Sequence, residues 1–546
     1  MNVAAATTTT ATGPLNCWPT TTRPGMNYSK TITRTLDKEL LMKQRLTTLA
    51  CAALLAAGAG NITTAQAAPP SNEEVRAAMQ RATTFFSDNV SLNGGYVWVV
   101  SDDFSRRWGE VPARPSQIWL QGGTESVGDI MLDAWEATGD PLYLDVARKA
   151  ADAIVYGQQP TGGWHYFIDF DPPGLMDWYR DVASRFIYGY EEYRYYYGNA
   201  TYDDSVSQDA AGFLLRFYNL TLEAAYRAPL LEALDFLLAS QYPNGAWPQR
   251  WPLHQDPDDD RPDYPDLYTL NDGAMRANIN LLLDAWSTLG DPRYLEAARR
   301  GGDALIALQG PDGQAAWPEQ AGFDLAPAAA RTHEPPGYVV RESLGALATL
   351  ERLYLVTGDA RYLAPAPSAF DWFERINRES AEQRYPRPRY WEHGSNRPLY
   401  NVRIPGMDDM GHGLYKWSTD PSETDCDGAP CQGDGEPFVD VAPLRARYAE
   451  IQSLDTAPAR QAALVARQAA EHEHERTQRL SGEDPAAIIA ALDDRGAWIT
   501  DDIQVTKPNA DTRDPEFREV VTGYSTRVFV ERLATLISTL EDDNGD

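Results

Sequence analysis

Two short phrases alternate along this chain, and they limit what it can fold into more than any other feature. TGDPLYL at Thr138, LGDPRYL at Leu289 and TGDARYL at Thr357 each follow one apolar-periodic stretch and precede another. Glycine tolerates the left-handed conformation that ends a helix, and an aspartate oxygen accepts the free amides that start the next, so each phrase reads as the turn of a helical hairpin. The second phrase appears as QQPTGGW at Gln158, QYPNGAW at Gln241 and QGPDGQAAW at Gln309. The repeating unit is therefore helix, turn, helix and a Gly-Trp loop. One such unit cannot bury its own apolar face, and stacked units can. The expected fold is all-α, an (α/α) toroid of helical hairpins with its loops at one mouth and a few short strands in those loops.

Spacing supports the helices. Val127, Ile130, Met131 and Ala134 share one face, as do Met275, Ile279, Leu282, Leu283 and Trp286, and Val206, Ala210, Phe213 and Phe217 form a third stripe. These stripes are core and carry no chemistry. Strand signals are short, at Tyr96 to Val100 and Arg389 to Trp391. Leu454 to Leu492 is polar but helical, and its EHEHE run at Glu471 reads as a solvated face, because residues two apart point away from each other on a helix. Phe529, Leu533, Leu536 and Leu540 mark a last helix that packs back on the toroid, with an acidic tail after it.

With 79 Asp+Glu against 48 Lys+Arg, the chain carries a net charge of -31. That field repels nucleic acid and anionic membranes, which excludes both as partners. It also opposes an anionic polysaccharide unless arginines or a divalent metal reverse the sign locally. Met42 opens a second start, with basic Lys43 and Arg45, an apolar run from Leu49 to Ala59 and an Ala65-Gln66-Ala67 cleavage site. Residues 42–67 thus read as a secretory signal and residues 1–41 as an extension outside the fold. Residues 68–200 form the N-terminal helical-repeat part and 201–546 the catalytic part of a secreted or periplasmic monomer. Cys17 and Cys51 fall before the mature chain, and Cys426 and Cys431 would pair across a Gly/Pro loop in an oxidising compartment.

The stretch from Gln241 to Met275 holds the first candidate site. Trp247 and Trp251 offer flat faces on which a pyranose can stack, Gln249 lies between them, and after an acidic loop Asn271 and Asp272 open an apolar-periodic segment. Ser207-Gln208-Asp209, the loop WPEQAGFDLAPAAARTHE from Trp317 to Glu334, and YWEHGSNRPLY from Tyr390 to Tyr400 add acids and arginines in loops or at helix starts. A capped helix and solvated charges would account for any one of them alone.

Taken in order, these phrases resemble the family 10 polysaccharide lyases, which are pectate lyases. The likeness rests on Gln-x-x-Asn-Gly-x-Trp-Pro-Gln at Gln241, Thr-x-Asn-Asp-x-Ala-Met at Thr269 and Trp-x-x-Gln at Trp317. It continues with Ala-Arg-x-x-Glu at Ala330, Glu-Ser at Glu342, Gly-x-Asn-Arg-Pro at Gly394 and a closing match at Arg495 to Trp498. It spans Asp209 to Trp498, about half of the chain. The resemblance implies calcium-assisted anti-β-elimination on polygalacturonate, an acidic polysaccharide. Asp209 and Asp272 then fall at the Ca2+, Arg331 is the base, and Arg397 holds a substrate carboxylate. Trp247, Gln249, Asn271 and Arg403 complete the substrate-binding set. A cation is needed because the C5 proton beside a carboxylate is only weakly acidic, and the enolate-like charge must be stabilised. An arginine base holds its proton at ordinary pH, so activity is expected on the alkaline side.

The sequence departs from the family at Ala210, Gly273, Ala321-Gly322 and Asn401 to Ile404, where polar cleft positions are apolar or missing. A lyase acting on another uronate, or one of little activity, stays open. So do a glycoside hydrolase using a carboxylate pair such as Asp209 and Asp272, and a non-catalytic polysaccharide binder using Trp247 and Trp251.

Overall fold

The computed structural model describes residues 69–185, 198–253, 263–383, 388–404, 415–423, 438–505 and 519–542. The extension, the signal segment, all four cysteines with the expected Cys426–Cys431 bridge, the acidic loop after Leu253 and residues 543–546 lie outside them.

The helices are α1 (Asn72–Phe85), α2 (Thr124–Thr138), α3 (Pro141–Tyr156), α4 (Leu175–Arg185), α5 (Val206–Thr221), α6 (Ala224–Ala239) and α7 (Ala274–Leu289). They continue with α8 (Pro292–Ala307), α9 (Val340–Thr357), α10 (Ala366–Gln383), α11 (Val441–Gln452), α12 (Ala457–Arg479), α13 (Pro485–Ala490) and α14 (Thr526–Asp542). The repeated turns do what their residues dictate. Gly139, Gly290 and Gly358 end α2, α7 and α9 with φ of 70°, 72° and 72°. Asp140 and Asp291 then accept the amides of Leu142 and Arg293 at 3.0 and 2.9 Å, each followed by a proline in the first turn of the new helix.

Packing alternates as the repeat requires. α2 packs on α5, α5 on α7, α7 on α9, α9 on α12, α12 on α14, and α14 returns to α2, closing an inner ring. α3, α6, α8, α10, α13 and α1 lie outside it, each against an inner helix. This is the expected all-α toroid. One hydrophobic core runs through it from Val75 to Leu540, so the parts on either side of residue 200 share a single ring. Within it the sequence stripes are buried, including Val127, Met131, Phe213, Phe217, Ile279 and Leu282. The last helix is itself a ring member, with Phe529, Leu533, Leu536 and Leu540 inward.

Strands are short and collect where outer helices hand over to inner ones. The longest run is antiparallel, in the order Tyr415–Ser418, Pro398–Arg403, Tyr390–Glu392, Gly337–Val339, Trp317–Pro318, with Tyr338 opposite Trp391 and Tyr390 opposite Leu399. Two-residue pairs join Ala200–Thr201 to Arg250–Trp251 and Tyr268–Thr269 to Gln320–Ala321. These pairs stitch neighbouring loops into one mouth over the N-termini of the inner helices.

Candidate functional site

The Gly-Trp loops turn out to be fasteners. The indole N–H groups of Trp164, Trp247, Trp317 and Trp498 donate to the carbonyls of Ile154, Leu237, Leu305 and Ile488 at 2.8, 2.8, 2.7 and 2.9 Å. Each acceptor lies in the last turn of an outer helix, where carbonyls otherwise lack intrahelical partners. On the far side, the hydroxyls of Ser207 and Ser343 on α5 and α9 accept the backbone amides of Trp164 and Trp317 at 3.0 and 2.9 Å. Trp247 is fully buried, which corrects its reading as a sugar platform. Trp251 is only partly buried and packs on the same core.

The residues two places after Trp164 and Trp247 meet at one carboxylate. Gln249, also fully buried, donates to Asp203 Oδ1 at 2.8 Å, and the Tyr166 hydroxyl donates to Asp203 Oδ2. Gln249 therefore braces an inner-helix start and does not face a ligand directly. Its counterpart after Trp317 is Glu319, which accepts from Arg389 at 2.6 and 3.0 Å and from the Tyr390 hydroxyl at 2.7 Å.

The starts of α5 and α7 are built alike. Asp203–Ser205 and Asn271–Gly273 each form a single 3-10 turn, with the middle aspartate left-handed at φ 48° for Asp204 and 50° for Asp272. The counterpart of Asp272 is thus Asp204, whose carboxylate accepts from Gln121. Asp209, the residue that the sequence pairs with Asp272, lies further along α5 and is exposed.

Around Asp272 the charges converge. Arg341 Nη2 lies 3.2 Å from Asp272 Oδ1, its Nε 2.9 Å from Glu342 Oε1, and Nη2 3.9 Å from Glu319 Oε1. Arg331 grips Glu334 with Nε at 2.9 Å and Nη2 at 2.7 Å, and Glu334 also accepts its backbone amide at 3.1 Å. Asn271 joins the two halves: its Nδ2 donates to Glu334 at 3.1 Å, while its Oδ1 accepts from Arg341 at 3.3 Å and from the Asp272 amide at 3.0 Å. His333 lies 3.9 Å from Glu334.

Electrostatics split the four carboxylates into two kinds. Burial opposes the ionisation of Asp272, but Arg341, Arg331 and Arg389 outweigh it and hold that carboxyl below the usual range. Burial is likewise overcome at Glu334 by the charge and hydrogen bonds of Arg331. Burial prevails at Glu319 despite Arg389, raising it, and pushes Glu342 up to about 7 against the pull of Arg341. For Arg341, burial is outweighed by Glu342 and Asp272, so its proton is held more firmly than usual.

Of the residues read from sequence, Asn271, Asp272 and Arg331 come together here. Arg397 stands in the turn after Tyr390–Glu392, exposed, with its guanidinium 2.9 Å from Glu392. Arg403 ends the strand Pro398–Arg403. Sequence reasoning passed over Glu319, Arg341 and Arg389. Their one available signal is position, directly after Trp-Pro, before Glu-Ser and before Tyr-Trp, inside phrases already singled out. On α12, EHEHE is less solvated than expected: Glu471 pairs with Arg467 at 2.7 Å and both are largely covered. Among the described residues no group of three or more His, Cys, Asp or Glu side chains could hold a metal ion.

Comparison with known proteins gives the region a relation. The family model for pectic acid lyase matches residues 189–390. That stretch contains Asn271, Asp272, Glu319, Arg331, Glu334, Arg341, Glu342 and Arg389, so the charge cluster lies within a pectic acid lyase-like region. Among solved structures, a family 10 polysaccharide lyase from Cellvibrio cellulosa in complex with trigalacturonic acid is 18% identical. It covers 59% of this chain and 98% of its own, at a TM-score of 0.38. An alpha-1,6-mannanase from Salegentibacter sp. HEL1_6 is 11% identical over 86% of this chain and 99% of its own, at 0.35. A D-mannose isomerase is 13% identical over 86% and 98%, at 0.38. No curated protein sequence matches the chain significantly.

Proposed function

We propose that this protein is a polysaccharide lyase that cleaves an acidic polysaccharide, polygalacturonate first among the candidates, by anti-β-elimination. One observation carries the reading: three guanidinium groups gather at the start of an inner helix, Arg341 at 3.2 Å from Asp272, Arg389 at 2.6 Å from Glu319 and Arg331 at 2.7 Å from Glu334, in a protein whose overall charge is strongly negative. Arginine forks match carboxylates in geometry and charge, so this is the described place at which a uronate would be held against the field of the whole chain.

In the elimination, the base takes the C5 proton, the C5–H electron pair forms the C4–C5 double bond, and the C4–O bond breaks with its pair on the departing oxygen, which takes a proton from water as the next sugar leaves. The charge that develops on the C5 carboxylate needs fixed positive partners. Arg341 and Arg389 are partly exposed and suited to it. Arg331 is the proposed base. A guanidinium holds its proton at ordinary pH, so turnover is expected to climb on the alkaline side.

Calcium is part of this proposal in a limited way. The described side chains form no closed cage, and Asp272, partly exposed, is the described residue that would hold an ion together with oxygens of the bound sugar. When bound, the ion would add positive charge beside the reacting carboxylate. The expected result is that the free protein gains no thermal stability from calcium, while a chelator suppresses cleavage of polygalacturonate. Full turnover in excess EDTA would remove the ion from the reading.

The test of the reaction is product absorbance. Elimination leaves an unsaturated uronide that absorbs in the ultraviolet, and hydrolysis does not. Arg331→Ala is expected to lower kcat by at least about a hundredfold. Chain shortening without ultraviolet absorbance would replace the lyase with a hydrolase.

A further inference from the structure

Phe323 is 52% exposed, yet its ring is fixed in place. Tyr242 and Tyr268 brace it nearly edge-to-face, at centroid distances of 5.8 and 5.3 Å, and stand 5.3 Å from each other. Tyr242 is anchored in turn through its hydroxyl to the Asp266 carbonyl at 2.5 Å. The loop below is closed by Gly322 N–H to the Ala326 carbonyl and by Leu325 N–H to the Gly322 carbonyl, both at 2.9 Å, with Leu325 left-handed at φ 69°. It returns through Ala328, whose amide donates to the Gln320 carbonyl at 2.9 Å, and reaches Arg331. The same loop thus carries an ordered aromatic ring at its tip and Arg331 at its base.

We propose that Phe323, braced by Tyr242 and Tyr268, is a stacking subsite for the C–H face of a pyranose in a polysaccharide chain lying across the mouth. This inference rests on the carbohydrate reading above and deepens it. Phe323 stands four positions after Glu319, at most ~14 Å along the chain, within reach of an oligosaccharide that occupies the charged centre. The occupant follows from continuity with the charged centre: the strand pair Tyr268–Thr269 with Gln320–Ala321 runs from the aromatic trio straight to Asn271 and Glu319. The ring is neutral, so it adds affinity without sensing the sugar carboxylate, and its share of binding resists salt while that of the arginines weakens. Of the tryptophans that the sequence suggested for this role, Trp247 is occupied as a fastener and Trp251 packs on the core, and Phe323 takes their place.

The experiment uses the full chain with Phe323→Ala and Phe323→Trp, titrated calorimetrically with galacturonic acid oligosaccharides of increasing length below neutral pH, where elimination is slowest. Elimination kinetics are then followed at alkaline pH. Phe323→Ala is expected to raise Kd and KM about tenfold for the longer oligomers, with kcat and the shortest oligomers unaffected, and Phe323→Trp is expected to retain binding. Unchanged binding in the alanine variant overturns the subsite, as does a wild-type protein that binds no oligosaccharide. A change in its association state on size exclusion also overturns it, since the ring would then cover a second copy. If the wild-type protein binds oligosaccharide but releases no ultraviolet-absorbing product, the elimination reading fails while the calorimetry still judges Phe323.

Discussion

Glu342 lies 2.9 Å from the Nε of Arg341, and burial still pushes its carboxyl up to about 7 from an ordinary 4.5. The native state therefore binds this proton more tightly than the unfolded chain does. The stability it contributes is complete below the unfolded value and is lost as pH rises through about 7, a change of about 3 kcal/mol at most. Glu342→Gln keeps the shape and removes the titration. Its melting temperature is expected to vary less than that of the wild type between about pH 5 and pH 8, and at the upper end to equal or exceed it. A variant less stable than wild type at alkaline pH would show that the ionised pair with Arg341 outweighs burial. At this scale the sequence was readable where type and position agreed. Asn271 and Asp272 precede an apolar stripe, and Arg331 sits in a long loop among phrases of one family, so three residues of the centre stood out. Arg341 and Arg389 did not, because an arginine beside a glutamate or in a Pro/Arg-rich stretch reads as solvated until a fold brings Glu319 and Asp272 to meet it.

Among the elements, the Gly-Trp loop is the one whose parts depend on one another most. Gly245 has φ 95°, and a Cβ there would stand 2.0 Å from the Arg300 carbonyl oxygen, since the loop lies directly on α8. Gly245→Ala combines a strained backbone with a clash against main chain, and a loss on the order of 3 kcal/mol is expected in chemical unfolding. The damage should reach function, because Trp247, two residues on, sets where Gln249 meets Asp203. A variant with wild-type stability would mean that the loop can lift from α8 without cost. The repeated phrase announced this element in the sequence, but its role was misjudged. Tryptophan, proline and glutamine together suggest a groove, and only the indole bond to Leu237 and complete burial show that the tryptophan is a peg. The hairpin turns were legible because glycine and aspartate act there through the local backbone, whereas the peg acts through a helix ten residues back.

For the whole molecule, the ring closes between its first and last inner helices, α2 and α14, and the mouth exists because of that closure. Leu533, Leu536 and Leu540 are fully or almost fully buried, and Phe529 stacks on Phe86 at 3.8 Å. Opposite them, Arg216 on α5 ties Asp129 and Asp133 of α2 at 3.3 and 2.6 Å, and Arg479 of α12 reaches Asp133 at 3.4 Å, so three inner helices share one charged seam. Helical-repeat arrays that remain open tolerate loss of an end unit, because each unit contacts only its neighbours. A closed ring differs, since removing one member bares two faces. Deletion of residues 526–546 would expose the apolar sides of α1 and α2 together. The truncated chain is expected to lose its cooperative thermal transition by circular dichroism, although the cluster around Asp272 lies outside the deleted segment. A truncated chain that melts cooperatively near the wild-type temperature would show that α14 is an appendage and that the inner helices hold their circle without it.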